Sequence, residues 1–132
     1  MDPPTQEPKL RRVLVVDDDE STLHCMRALL KGQGYEVSIA GSVADALTSA
    51  SVAPPDLLVT DLGLPDATGA ELVKALRARY SMPAIALSGS PPEELSESER
   101  EGFSAHLMKP VDLKQLTSTI ERLMANVIRR PD

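Results

Sequence analysis

Arg12-Val-Leu-Val-Val-Asp17 and Asp56-Leu-Leu-Val-Thr-Asp61 share one pattern: a short aliphatic run that stops on a carboxylate. Neither run alternates polar and apolar residues, so each reads as a strand buried on both faces. After the first run, Leu23, Met26 and Leu30 recur at helical spacing, and Gly32 and Gly34 stop that helix. Tyr35-Glu-Val-Ser-Ile-Ala40 alternates with period two and reads as a second strand. Ser42 caps a helix whose Val43, Ala46, Leu47 and Ala50 share a face, and Pro54 and Pro55 end it. After Asp61 a loop, 62–68, holds Gly63 and Pro65. A helix follows with Leu72, Val73 and Leu76 inside, ending near Tyr80.

Ala84-Ile-Ala-Leu87 reads as the fourth strand, followed by the turn Ser88-Gly-Ser-Pro-Pro92. Residues 93–101 form a weak helix with Leu95 as their only large apolar residue. Ala105-His-Leu-Met108 is a short fifth strand. Asp112 caps a long last helix with the stripe Leu113, Leu116, Ile120, Leu123 and Val127. Strand and helix thus alternate five times. The expected fold is α/β, a (βα)5 doubly wound five-stranded parallel sheet with helices on both faces and right-handed crossovers. Residues 1–10 read as a flexible proline-rich lead-in, 11–128 as the domain and 129–132 as a tail.

Composition narrows the function. The chain has 132 residues, a formal net charge of −6, one cysteine and two histidines. That suffices for one domain with a real core, built from aliphatic residues because Tyr35, Tyr80 and Phe103 are the only aromatics. Cys25 makes no internal disulfide, and no Cys/His set suits zinc. The acidic balance argues against direct nucleic-acid binding. No apolar run suits a membrane span, and the start lacks the regions of a signal peptide. The expectation is a cytoplasmic domain whose chemistry runs on carboxylates.

In such sheets the working site lies outside the carboxyl ends of the strands. The first strand ends in Asp17, Asp18 and Asp19, the third in Asp61; the fourth runs into Ser88 and the fifth into Lys109-Pro110. Close carboxylates repel unless a proton or cation sits among them. Oxygen ligands without a Cys or His pair favour Mg²⁺, with Mn²⁺ as a substitute. Carboxylate, metal, hydroxyl and ammonium are the parts needed to move a phosphoryl group onto a carboxylate.

Val13-Leu-Val-Val-Asp-Asp18, Pro55-Asp-Leu-Leu-Val-Thr-Asp61 with Leu64-Pro65 and Thr68-Gly69, Ala86-Leu-Ser-Gly89 and His106-Leu-Met-Lys-Pro110 stand in this order. In order and spacing the chain resembles the response-regulator receiver domains of two-component signalling, of the chemotaxis-receiver type, over about residues 11–128. The resemblance implies a flavodoxin-like strand order 2-1-3-4-5. It implies Asp61 as phosphoacceptor and Asp17, Asp18, Asp61 and the Gly63 backbone carbonyl as metal ligands. Ser88 would be the switch hydroxyl and Lys109 the family's lysine, joined to Pro110 by a cis peptide. His106 stands where the family usually has a Tyr or Phe that changes rotamer. A histidine there is smaller, more polar and titratable, which opens a pH-dependent output.

The implied function is a phosphorylation-controlled switch in a two-component phosphorelay. A histidine kinase or phosphotransfer protein donates, and a downstream effector protein or attached domain reads the face between the fourth and fifth helices. The switch would catalyse its own phosphorylation and dephosphorylation but is not an enzyme acting on a metabolite. A phosphorylation-dependent homodimer is compatible with it, as is either a stand-alone receiver or a piece of a longer regulator. Two alternatives compete: a phosphate-independent binding module on the same fold, and a haloacid-dehalogenase-like phosphatase. The latter usually carries a second Asp two residues after the nucleophile, where this chain has Gly63. Asp19 reads as a cap or first-turn acid of the first helix and Asp66 as a solvated loop acid or helix cap. His24 and Cys25 read as ordinary helix residues.

Overall fold

The structure, a computed structural model, describes residues 11–128, and the side chains of 11–125. The lead-in 1–10, the tail 129–132 and the side chain of Val127 lie outside the described residues. In chain order the elements are β1 Arg12–Val16, α1 Glu20–Gly32, β2 Glu36–Ala40, α2 Val43–Val52, β3 Leu57–Asp61, α3 Gly69–Arg77, β4 Ala84–Ser88, α4 Glu97–Arg100, β5 Ala105–Met108 and α5 Leu113–Ile128. A 3-10 turn, Pro92–Glu94, precedes α4. All strand pairs are parallel, in the order β2-β1-β3-β4-β5. The doubly wound sheet expected from the strand–helix alternation is present.

The unalternating strands are buried on both faces. Val13 and Val15 of β1, Leu57 and Val59 of β3 and Ile85 and Leu87 of β4 meet α1 and α5. Leu14, Val16, Leu58 and Ala84 point the other way and meet α2 and α3. Each of these Val, Leu and Ile side chains contributes about 1.5–3 kcal/mol by leaving water. Val37 and Ile39 of β2 pack on the first core only partly, as suits an edge strand. Its alternation records that position.

Local signals set the helix ends. Gly34, at φ 97°, turns the chain after α1; Gly32 still belongs to the helix. Ser42 accepts from the Asp45 N–H at the start of α2, and Asp112 accepts from Lys114 and Gln115 at the start of α5. Thr68 and Glu71 form a reciprocal capping box at α3, which ends at Arg77 rather than near Tyr80.

Other departures have physical reasons. Leu47, grouped with the inner face of α2, is 38% exposed, and Leu113, grouped with the stripe of α5, is 45% exposed. Met124 is buried on α5. The helix expected over 93–101 is a 3-10 turn and a single α-helical turn with no buried residue. Pro91 and Pro92 start the first piece, and the capping box of Ser96 with Glu99 starts the second. One apolar residue gives the sheet too little to bury.

Candidate functional site

The carboxyl edge of the sheet gathers the acids. Asp17 directly follows β1, and its N–H donates to the Ala40 carbonyl at 3.1 Å. Its carboxylate accepts from the Asp19 N–H at 2.9 Å and from Lys109 Nζ at 3.2 Å. Asp61 closes β3 and accepts from the same Nζ at 2.9 Å. The Asp17 side chain is 1% exposed, that of Asp61 16% and that of Lys109 32%, while Asp18 faces solvent. Asp17, Asp18 and Asp61 each bring a carboxylate oxygen within 4.8 Å of the others. Two like charges at that separation repel by about 3 kcal/mol at an effective dielectric of about 20. Three carboxylates against one ammonium leave two negative charges uncompensated.

Lys109 registers this field. Desolvation alone lowers its pKa, but its hydrogen bonds to Asp61 and Asp17 and their charges outweigh that, and the net shift is upward. The ammonium is therefore held charged across the physiological range. Its backbone N–H donates to the Ser88 carbonyl at 2.7 Å, which fixes the end of β5 beside the end of β4. The Lys109–Pro110 peptide is cis.

Ser88 is buried, and its hydroxyl oxygen accepts from the Ser90 N–H at 3.0 Å, closing the turn after β4. The hydroxyl keeps its own proton to donate. Gly63 lies two residues past Asp61 in a loop drawn tight by the Gly63–Thr68 bridge, Leu64 N–H to the Ala67 carbonyl (3.1 Å) and Gly69 N–H to the Leu62 carbonyl (2.8 Å). His106 stands apart from the acids on β5. Its ring meets Phe103 edge-on at 5.5 Å, and its buried Nε2 has no hydrogen-bond partner. Burial lowers its pKa, and the charge of Arg100 adds to that.

Three residues matter more than their motifs announced. Asp19 sits at the N-cap of α1, where its carboxylate accepts from the Thr22 hydroxyl at 2.6 Å; that bond, more than any other influence, holds its pKa down. Its backbone N–H, together with Lys109, orients Asp17. Asp66 caps a helix, but not the one that follows it. It accepts from the Val43 and Ala44 N–H groups of α2, which lower its pKa. Gly69 allows α3 to begin against the backbone of Asp61 and Leu62. No local signal marks the reach of Asp66 across 23 residues.

A parallel 2-1-3-4-5 sheet with acids after β1 and β3 and a lysine after β5 defines a CheY-like domain of the flavodoxin-type fold. Residues 13–121 match the model of the response regulator receiver domain, and the chain belongs to that family. It is 31% identical over 123 residues to the DNA-binding response regulator MtrA of Mycolicibacterium paratuberculosis, covering 92% of this chain and 53% of that protein. The chain thus spans about half the length of that relative. The chemotaxis response regulator CheY4 of Vibrio cholerae superposes with a TM-score of 0.79 at 31% identity, over 87% of this chain and 99% of that one. A CheY-like receiver domain of Methylobacillus flagellatus gives 0.78 at 30% identity, over 87% and 99%. The protein is a receiver domain of two-component signalling. Such domains bind Mg²⁺ at an acidic pocket and interact with histidine kinases and effector domains. No helix among the described residues is long and apolar enough to cross a membrane.

Proposed function

We propose that Asp61 is the phosphoacceptor of a Mg²⁺-dependent switch, fed by a histidine kinase or phosphotransfer protein. The observation that carries this reading is the single ammonium of Lys109 spanning Asp17 and Asp61 within a three-carboxylate cluster. The donor set fits a hard divalent cation: oxygens only, one buried carboxylate, and one exposed carboxylate that leaves room for water. Asp17, Asp18, Asp61 and the Gly63 carbonyl would hold it. When bound it would supply the charge that lets an anionic phosphoryl group approach an anionic site.

An Asp61 oxygen attacks the phosphorus of a donor phosphoimidazole. The P–N bond breaks, its electron pair leaves with the imidazole, and an acyl phosphate remains on Asp61. Lys109 stands at Asp61 to neutralise the charge gained. Ser88 has a proton to give a phosphoryl oxygen. Turning the hydroxyl inward forfeits its bond from Ser90 N–H and loosens the turn leading to α4. That couples the site to the face formed by α4, β5 and α5, where His106 and Pro110 lie and an effector would read the change. Hydrolysis of the acyl phosphate resets the switch.

The test is intact-mass analysis after incubation with acetyl phosphate and Mg²⁺. A labile gain of one phosphoryl group, absent with EDTA and absent in Asp61→Asn, supports the reading. Label retained in Asp61→Asn overturns the assignment of the acceptor. No gain from acetyl phosphate or from a phosphohistidine donor protein favours the phosphate-independent binding module.

A further inference from the structure

We propose that Asp66 is a positioning residue for the metal site, clamping the loop that carries Gly63 to the start of α2. The inference rests on the site reading above and goes beyond its ligand set.

Both oxygens of Asp66 are engaged, Oδ1 by the Val43 N–H at 2.9 Å and Oδ2 by the Ala44 N–H at 3.0 Å. Charge-assisted bonds to two backbone donors fix a carboxylate in direction as well as distance. Helix α2 has its own cap, because Ser42 accepts from Asp45 N–H through its side chain and from Ala46 N–H through its carbonyl. Asp66 thus completes the end of the helix rather than creating it.

The effect falls on the loop. Its feet are held by the end of β3 and by the capping box of α3. Pro65 restricts the backbone just before its tip. Asp66 anchors that tip to a third element. The anchoring turn is the one that also seats Asp17: the Ala40 carbonyl takes the Asp17 N–H at 3.1 Å, and a Cβ on Gly41 would lie 3.8 Å from the Asp17 carbonyl oxygen. One exposed side chain therefore ties the loop of Asp61 and Gly63 to the turn beside Asp17 and Asp18. A backbone carbonyl ligand has no side-chain freedom, so its aim depends on how firmly the loop is held.

The experiment is Mg²⁺ titration by isothermal calorimetry on the full chain, with urea unfolding of each variant. Wild type, Asp66→Ala, Asp66→Asn and Ser42→Ala are compared. Asp66→Ala should weaken Mg²⁺ binding about tenfold, the low end for outer partners of metal ligands. Asp66→Asn, which keeps one neutral acceptor, should fall between. Ser42→Ala removes the other cap of the same helix and should cost stability while leaving Mg²⁺ affinity unchanged. An unchanged affinity in Asp66→Ala overturns the proposal, as does an equal loss in Ser42→Ala. If Asp66→Ala fails to fold, Asp66→Asn decides by the same criteria. A wild type without saturable Mg²⁺ binding overturns the metal site itself; intact wild-type binding with an indifferent Asp66 overturns only the clamp.

Discussion

Gly69→Ala is the most exposing change to make in this protein. Gly69 opens α3 directly against the backbone that carries Asp61. A Cβ there would lie under 3.0 Å from the Asp61 carbonyl oxygen, 3.2 Å from Leu62 Cα and 3.3 Å from the Asp61 carbonyl carbon. All three are backbone atoms, so no side chain can swing aside. Gly69 does not have a positive φ, so the obstacle is space and not backbone conformation. Restoring ordinary contact needs a shift of roughly 1 Å. Either α3 retreats and loses the 2.8 Å bond from Gly69 N–H to the Leu62 carbonyl, or the end of β3 moves and takes Asp61 with it. Overpacking of this kind costs about 1–3 kcal/mol, partly offset by the better helix propensity of alanine, at most about 1 kcal/mol. Displacement of Asp61, the proposed acceptor, should cost more in rate than in stability, since an error of about 1 Å in a reacting group loses about a hundredfold. Urea unfolding and the initial rate of phosphoryl uptake from acetyl phosphate measure the two effects. A variant within about 0.5 kcal/mol of wild type and with unaltered uptake would refute the close approach and the reasoning built on it.

Lys109→Met leaves Asp17 and Asp61 facing each other without their shared cation; it should cost about 1–3 kcal/mol, discounted for the partial exposure of the pair. Added Mg²⁺ should recover more stability in this variant than in wild type, and equal shifts of the urea midpoint would contradict that. His106 is held below its ordinary 6.5 chiefly by burial, so the unfolded chain takes up the proton first. Stability should therefore fall as the pH drops through about 6.5, and His106→Phe should remove that part of the loss in urea midpoints compared at about pH 7.5 and 5.5. Amide exchange should be fastest, among the regular elements, at Glu93 and Glu94 and over Glu97–Arg100, where no residue is buried; protection there equal to that of α3 would contradict the packing.

Strand identity was legible because β1, β3 and β4 are buried on both faces and read as unbroken aliphatic runs. The clustering of the acids with the lysine was legible because Asp17 and Asp61 end two of those runs and Lys109 ends the short β5 beside them. Register along a helix was less so. Leu47 and Leu113 fit an apolar spacing yet sit at the rim, since hydrophobic spacing names a face without saying how far the neighbouring element extends over it. The 93–101 segment differs for another reason: Ser96 and Glu99 do start a helix there, but the segment has too little apolar content to hold a longer one. Asp66 and Gly69 show a third kind of limit. Each acts on backbone brought near only by the finished sheet, so neither partner has a local signature. Gly69 was visible as a motif position, but the oxygen that requires it was not.

The distribution of restraints follows from the charge. Clustering Asp17, Asp18 and Asp61 works against folding, so the elements bearing them need fixing by bonds that do not depend on a bound cation. Lys109, the Asp19 N–H, the tight loop after β3 and the Asp66 clamp supply these at one edge of the sheet. The segment from Ser88 to Phe103 is held differently. It leaves β4 through one buried hydroxyl, turns at Pro91 and Pro92, and reaches β5 with its α4 turn unburied. A change of charge at Asp61 meets stiff supports on the side of α2 and α3. On the side of α4 it meets a short, lightly packed segment joined to the site through Ser88. The same free energy would move the second far more readily than the first, which, on the proposed reading of Asp61, would give the switch its direction.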